Sequence, residues 1–301
     1  MLRKRRKSVV WGFGAMAWAG LLAFLAAAGP VSSPTKQTPT RIVSLVPHAT
    51  EILFALGAGD RVAGVSDGCL WPAEARQKPH LGGVFDVKID EIAALKPDLV
   101  LLTKSHLLHR RPLAERGIPT KTIETNSINE AFVTIQDLAL LVGRYEAGRK
   151  MILQMVDELN ALYQKNSRMK RRRALLCVGH EREALKRIFV AAPNNYLGEI
   201  LSVAGADNVA ALPPGEYGIV LPMSREEIVQ AKPEIIVDLL TAEEPSDAER
   251  QRIEGLWRDL FATEAEPPRR IYALYDPYLP VPGMRIADSI RKLTRLIHYD
   301  E

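Results

Sequence analysis

Four of the six histidines, His48, His106, His109 and His180, fall near the ends of predicted strands, and Asp276 lies close to another. Imidazole and carboxylate donors suit Zn²⁺ or Mn²⁺, so a bare metal-ion site drawn from both halves of the chain is one expectation. Coordination needs three or four converging donors, and no His-rich loop gathers them, so no residue is assigned as a metal ligand. His180 stands beside Glu181. The two make an acid–base pair only if a loop turns them together, because neighbours on a strand point to opposite faces. The chain has no Gly-x-Ser-x-Gly elbow, no His-Glu-x-x-His and no Gly-x-x-x-x-Gly-Lys, and Gly12-Phe13-Gly14 sits in an N-terminal apolar run. The reading is therefore a binding protein rather than an enzyme, with no cofactor.

Binding chemistry is better represented. Trp71, Phe85, Tyr217 and Tyr278 offer large rigid rings for a planar ligand. They fall in predicted loops after strands, together with Pro47, His48 and His106. Further stretches of this kind are 68–71, 82–86, 103–106, 179–181 and 275–285. Arg285 meets an anionic ligand group or pairs with a neighbouring carboxylate.

The elements that must position these residues occur twice. Asp90 to Leu101 (DEIAALKPDLVL) returns 136 residues later as Glu226 to Val237 (EEIVQAKPEIIV). In both copies acidic residues suit the positive end of a helix, the apolar spacing makes one buried face, and Lys-Pro stops the helix before a strand. Ser224 and Glu227 are spaced as a capping box. The continuous apolar strands suit a parallel sheet covered on both faces. A second pair, Glu51 to Val62 and Glu199 to Val209, repeats in the same order, each helix closing at a glycine.

A duplicated α/β chain follows: two Rossmann-like lobes with parallel sheets, at 41–143 and 171–301, joined by one long helix within 144–170. Predicted strands of the first lobe are Arg41–Val46, Val62–Val65, Leu99–Leu102 and Lys121–Ile123, and the second lobe opens with a strand at Ala174. Between them, Tyr145 to Arg168 has no proline and, after Gly148, no glycine, while Ile152, Met155, Val156, Leu159, Leu162 and Tyr163 share one face. Such a helix is ~36 Å long and acts as a strut, so the lobes move little. The cleft between them is the expected ligand site.

The formal charge of +4 comes from Arg3, Lys4, Arg5, Arg6 and Lys7; without them 35 basic residues face 36 acidic ones. No nucleic-acid partner is implied. The five cations precede an apolar run from Val9 to Ala28, so residues 1–29 read as a signal peptide or N-terminal membrane anchor. Residues 30–40 then read as a flexible tether, and the expected location is the periplasm, as a monomer. Cys69 and Cys177 are expected as free thiols.

Val43 to Leu53 (VSLVPHATEIL), Ala63-Gly64-Val65-Ser66 with Trp71-Pro72, Leu95 to Val100 (LKPDLV) and Val281 to Arg285 (VPGMR) resemble the helical-backbone periplasmic binding proteins of ABC importers, nearest to the cobalamin-binding subgroup. The resemblance covers residues 41–298. It implies a receptor that captures a small molecule in the cleft and delivers it to a membrane permease. It also implies that an acidic residue on each lobe, here Asp90 and Glu226, docks on permease arginines, and the internal repeat matches the same two positions. The chain departs from the subgroup at Gly68, Thr103 and Val220, where the pattern carries tryptophan or tyrosine. A cobalamin precursor, haem or a ferric siderophore would suit the same cleft.

Overall fold

The computed structural model describes residues 38–181, 183–211 and 220–299. The predicted signal segment, residues 30–37 of the tether, and Tyr217 lie outside the described residues. β1 (Ile42–Ser44) leads into α1 (Pro47–Ala55), which begins on a proline, where a missing backbone N–H leaves no helical bond unmade. β2 (Val62–Val65), α2 (Ile89–Ala94), β3 (Leu99–Leu102), α3 (Leu107–Glu115) and β4 (Thr120–Thr122) follow. α4 (Ile128–Leu141) starts at Ser127, whose hydroxyl accepts the Glu130 N–H. The four strands form a wholly parallel sheet in the order β2-β1-β3-β4. Val43, Val100 and Leu102 of the sheet pack with Ile92 and Leu113 from the helices. Thr40, assigned to the tether by sequence, is held by its backbone N–H and hydroxyl to the Asp98 carboxylate at 2.7 and 2.9 Å.

α5 (Tyr145–Asn166) is the long helix, 22 residues and so ~33 Å. Ile152, Met155, Val156 and Leu159 are its buried stripe, while Leu162 and Tyr163 are half-buried. Gly148 lets it approach α4 closely, since a Cβ there would lie 2.4 Å from the Ala139 Cβ.

The remaining elements are β5 (Arg172–Gly179), β6 (Ile188–Ala191), α6 (Tyr196–Val203), β7 (Ala206–Asn208), β8 (Val220–Met223), α7 (Arg225–Ala231), β9 (Ile235–Leu240), α8 (Asp247–Leu260), β10 (Arg270–Tyr275) and α9 (Ile286–Ile297). Their sheet has the order β10-β9-β5-β6-β8, with β7 also on β5. Here the expected parallel sheet is corrected to a mixed one: β10, β9, β5 and β7 run parallel, but β6 pairs antiparallel with β5 and with β8. Only residues 180–187 separate β5 from β6, and no helix intervenes. A chain that turns back over so short a stretch pairs antiparallel, because a parallel crossover needs a dozen residues or more.

Both copies of the repeat fold alike. α2 and α7 each end at a lysine before proline with left-handed backbone, φ 48° at Lys96 and 45° at Lys232, and each feeds a buried strand. Ser224 and Glu227 form the capping box at the start of α7. Cys69 and Cys177 are buried free thiols. Among the described residues no helix is long and apolar enough to cross a membrane.

Candidate functional site

In each sheet the chain moves outward in opposite directions from a central pair of strands, and the crevice outside their carboxyl ends is where open α/β sheets bind ligands. That pair is β1 with β3 in the first sheet and β5 with β9 in the second. A cavity of ≈ 420 Å³ lies between the sheets, lined from these ends. His48 follows β1, and Thr103 and Ser105 follow β3; Val178 ends β5, and Leu239 and Thr241 close β9. Loop residues Glu124, Thr125 and Asn126, the N-terminus of α6 at Asn195 and Tyr196, and Pro280 and Pro282 complete the walls.

The lining is mostly apolar in area, with hydroxyl and amide groups set among Ile123, Val178, Leu197, Val220, Leu239 and two prolines. Among the described residues Glu124 is its one carboxylate, and no lysine or arginine borders it. Of the internal residues outside the description, segment 212–219 contains no basic residue, whereas Arg182 stands three residues past β5. His48 is neutral at physiological pH because burial lowers its pKa from 6.5 to about 4. Its Nε2 is buried without a hydrogen-bond partner.

Beside the cavity the two halves are bridged directly. The Tyr196 N–H donates to the Asn126 carbonyl at 2.6 Å, and the Ile128 N–H at the start of α4 donates to the Glu199 carboxylate at 2.6 Å. Burial raises Glu199 from 4.5 to about 7, outweighing that bond. Glu51 of α1 pairs with Arg285 and also accepts the Met284 N–H at 3.3 Å. The Arg285 guanidinium stacks on Trp71 and Tyr278, at 5.3 and 4.0 Å from their ring centroids. Arg76 then donates to the Tyr278 hydroxyl at 2.8 Å.

Residues 42–250 match the family described as periplasmic binding protein. The chain belongs to the periplasmic binding protein family. It is 26% identical over 273 residues to an uncharacterized ABC transporter substrate-binding lipoprotein of Bacillus subtilis (strain 168), covering 88% of this chain and 82% of the relative. It is 28% identical over 198 residues to the vitamin B12-binding protein of Vibrio parahaemolyticus, covering 65% of this chain and 69% of the relative. Its fold matches a periplasmic heme-binding protein from Pseudomonas aeruginosa with a TM-score of 0.72 at 22% identity, over 87% of this chain and 94% of the other.

The binding residues expected from sequence are distributed unevenly in this periplasmic binding protein. His48 lines the cavity. Trp71 and Tyr278 come together on the Arg285 guanidinium, which pairs with Glu51, rather than along the lining. His106 is buried, its Nδ1 accepting from the Thr103 N–H at 3.2 Å. Pro47 begins α1 outside the lining, and Phe85 is 94% exposed. Asp90 and Glu226 occupy equivalent places in the first turns of α2 and α7, both exposed; Asp90 pairs with Arg116 at 2.6 Å. Sequence reading passed over the loop 123–126 and the start of α6. Their signal is faint: polar residues immediately after short strands, with Asn195 spaced to cap α6.

The histidines considered as bare-metal donors do not converge. His109 Nε2 lies 3.0 Å from the Val84 carbonyl, His106 faces Thr103, and Asp276 pairs with Lys292. His180 contacts the Glu181 backbone carbonyl, whereas the Glu181 carboxylate pairs with Arg187 at 2.7 Å, so the neighbouring acid and imidazole do not form a pair.

Proposed function

We propose that this periplasmic binding protein is the extracytoplasmic receptor of an ABC-type importer. In this reading it takes a cobalamin-like metal chelate into the cleft between its sheets and hands it to a membrane permease. The observation that carries the choice of ligand is the cleft lining: a largely apolar surface with hydroxyls and amides from Thr103, Ser105, Thr125, Asn126, Asn195 and Thr241 and, among the described residues, no lysine or arginine. A corrinoid ring carries a rim of neutral amides, which such walls can both donate to and accept from. Haem presents two propionates, which call for lysine or arginine. The relative from Vibrio parahaemolyticus is named a vitamin B12-binding protein, and the one from Bacillus subtilis an ABC transporter substrate-binding lipoprotein. The cavity, ≈ 420 Å³, is smaller than a whole corrinoid, so the ligand projects from it.

Asp90 and Glu226 are the docking acids, one on each half, and Trp71, Phe85 and Tyr278 are the rings offered to the part of the ligand outside the cavity. The basic and apolar segment 1–29, read as an export signal, supports a location beyond the cytoplasmic membrane. A second reading rests on His48, whose neutral, unpartnered Nε2 suits the open axial position of a haem iron.

Calorimetry and absorption spectroscopy on the exported form, titrated with cobalamin and with haem, test both. Cobalamin binding without a haem Soret shift supports the first. Haem binding with a Soret shift lost in His48→Ala supports the second, and binding of neither overturns both.

A further inference from the structure

Outside the cleft, the second sheet holds a buried group of donors that the receptor function does not use. The parallel register sets Cys177 of β5 beside Asp238 of β9. Asp238 interrupts the otherwise apolar strand Ile235–Leu240 and is 1% exposed. His180, just past β5, brings its ring to the same carboxylate, Nε2 to Oδ2 at 2.7 Å, and its side chain is 2% exposed. One ligand atom from each of Cys177, His180 and Asp238 lies within 4.8 Å of the others, and no other such trio of His, Cys, Asp or Glu occurs among the described residues.

Two features of this cluster call for a cation. Both ring nitrogens of His180 face acceptors, Nδ1 the Glu181 carbonyl at 2.8 Å and Nε2 the Asp238 carboxylate. A neutral imidazole has one N–H, so one of these contacts needs an added positive charge, either a second proton or a metal ion. Asp238 Oδ1 is buried and receives no N–H or O–H donor, although the Cys177 thiol lies against the same carboxylate and Oδ2 already receives the Trp257 indole N–H at 2.7 Å. A buried carboxylate oxygen left bare is costly, and an ion bound there would satisfy it.

We propose that Cys177, His180 and Asp238 form a Zn²⁺ site inside the second lobe, separate from the ligand cleft. Thiolate, imidazole and carboxylate are the donors Zn²⁺ takes. The exchange balances: Zn²⁺ enters as the Cys177 thiol and the His180 imidazolium each release a proton, so the cluster of ion, thiolate, carboxylate and neutral ring carries no net charge, as before. The Nδ1 contact to the Glu181 carbonyl orients the ring, and the Trp257 N–H orients the carboxylate, the outer supports that metal sites use. The Gly179 carbonyl, 3.7 Å from the Cys177 sulfur, is a fourth donor at hand. Because the donors are buried, the ion is acquired as the lobe folds.

The test is elemental analysis of protein expressed with zinc supplementation, and absorption spectroscopy of protein expressed with cobalt as the probe ion. The expected result is one metal per chain and a near-ultraviolet thiolate–cobalt charge-transfer band. Cys69→Ser keeps both, and Cys177→Ala loses the band. Trp257→Phe weakens retention against a chelator by roughly tenfold. If Cys177→Ala does not fold, Cys69→Ser still decides, since Cys177 is then the sole thiol. Absence of metal and of the band in the wild-type protein, or a band lost in Cys69→Ser, overturns the proposal and leaves a histidine–aspartate pair joined by a proton.

Discussion

Glu51 on α1 and Arg285 before α9 form a buried ion pair between residues 234 apart in the chain, with side chains 3% and 18% exposed. Burial pushes the Glu51 carboxyl up, while Arg285 and the Met284 N–H hold it down. The pair fastens one half of the molecule to the other next to the cleft.

Removing one partner leaves the other charge buried alone, and truncations of this kind cost about 3–5 kcal/mol. Glu51→Ala is therefore expected to lower unfolding stability on that scale in urea. Glu51→Leu combined with Arg285→Met should cost much less than either single change, because an apolar pair needs no charge compensation. If the double variant loses as much as the sum of the two singles, the pair has no coupling and the view of a latch fails.

Glu199 gives a pH signature. Its carboxyl sits near 7 in the folded protein against 4.5 for a free side chain, so the folded state keeps a proton that the unfolded chain gives up. The favourable contribution is complete below pH 4.5 and is lost as pH rises through 7. Glu199→Gln keeps an acceptor for the Ile128 N–H without the charge. Relative to this variant, the wild-type protein should lose about 1–3 kcal/mol between pH 4.5 and 8, a range below the full linkage value because the group is partly solvated. Parallel pH profiles for the two proteins would refute the assignment.

What the sequence made legible was local. The repeated acidic start, apolar spacing and Lys-Pro stop gave the same helix, the same left-handed lysine and the same buried strand at both sites, because these depend on residues within one turn of each other. The strut was readable because one face of α5 carries its apolar residues in helical period over about three turns, with no proline in the whole helix. The antiparallel β6 was not readable, since its direction is decided by the length of the loop from β5 rather than by side-chain pattern. Nor was the partner of Arg285, or the bond between Asn126 and Tyr196, because nothing local marks which distant groups will meet.

His48 supplies the opposite pH signature. Its folded value of about 4 against 6.5 means that the unfolded chain binds a proton that the native cleft refuses. Nothing is lost above pH 6.5, and stability falls as pH drops from 6.5 towards 4, by up to about 3 kcal/mol. His48→Gln should remove that part of the acid sensitivity, so the difference between variant and wild type grows as the solution is acidified. A gap that stays constant from pH 7 to 4 would show that the ring takes up its proton in the folded protein as readily as in the unfolded chain.

Asp90 and Glu226 test the proposed meeting with the permease. They are the equivalent positions of the repeat, 136 residues apart, on helices from opposite sides of the strut, and Asp90 is 91% exposed at its side chain. Exposed acids contribute little to folding, so reversing their charge should leave the melting temperature and the ligand affinity essentially unchanged. Charge-assisted pairing with arginines on two permease subunits would be broken at both ends. Asp90→Lys with Glu226→Lys is therefore expected to abolish ligand uptake in a reconstituted importer while each single variant reduces it. The Arg116 partner of Asp90 is the control: Arg116→Ala removes the internal pair but keeps the acid, and should transport as well as wild type. Full transport by the double reversal, with binding intact, would mean that the acids serve only the helix ends they sit on.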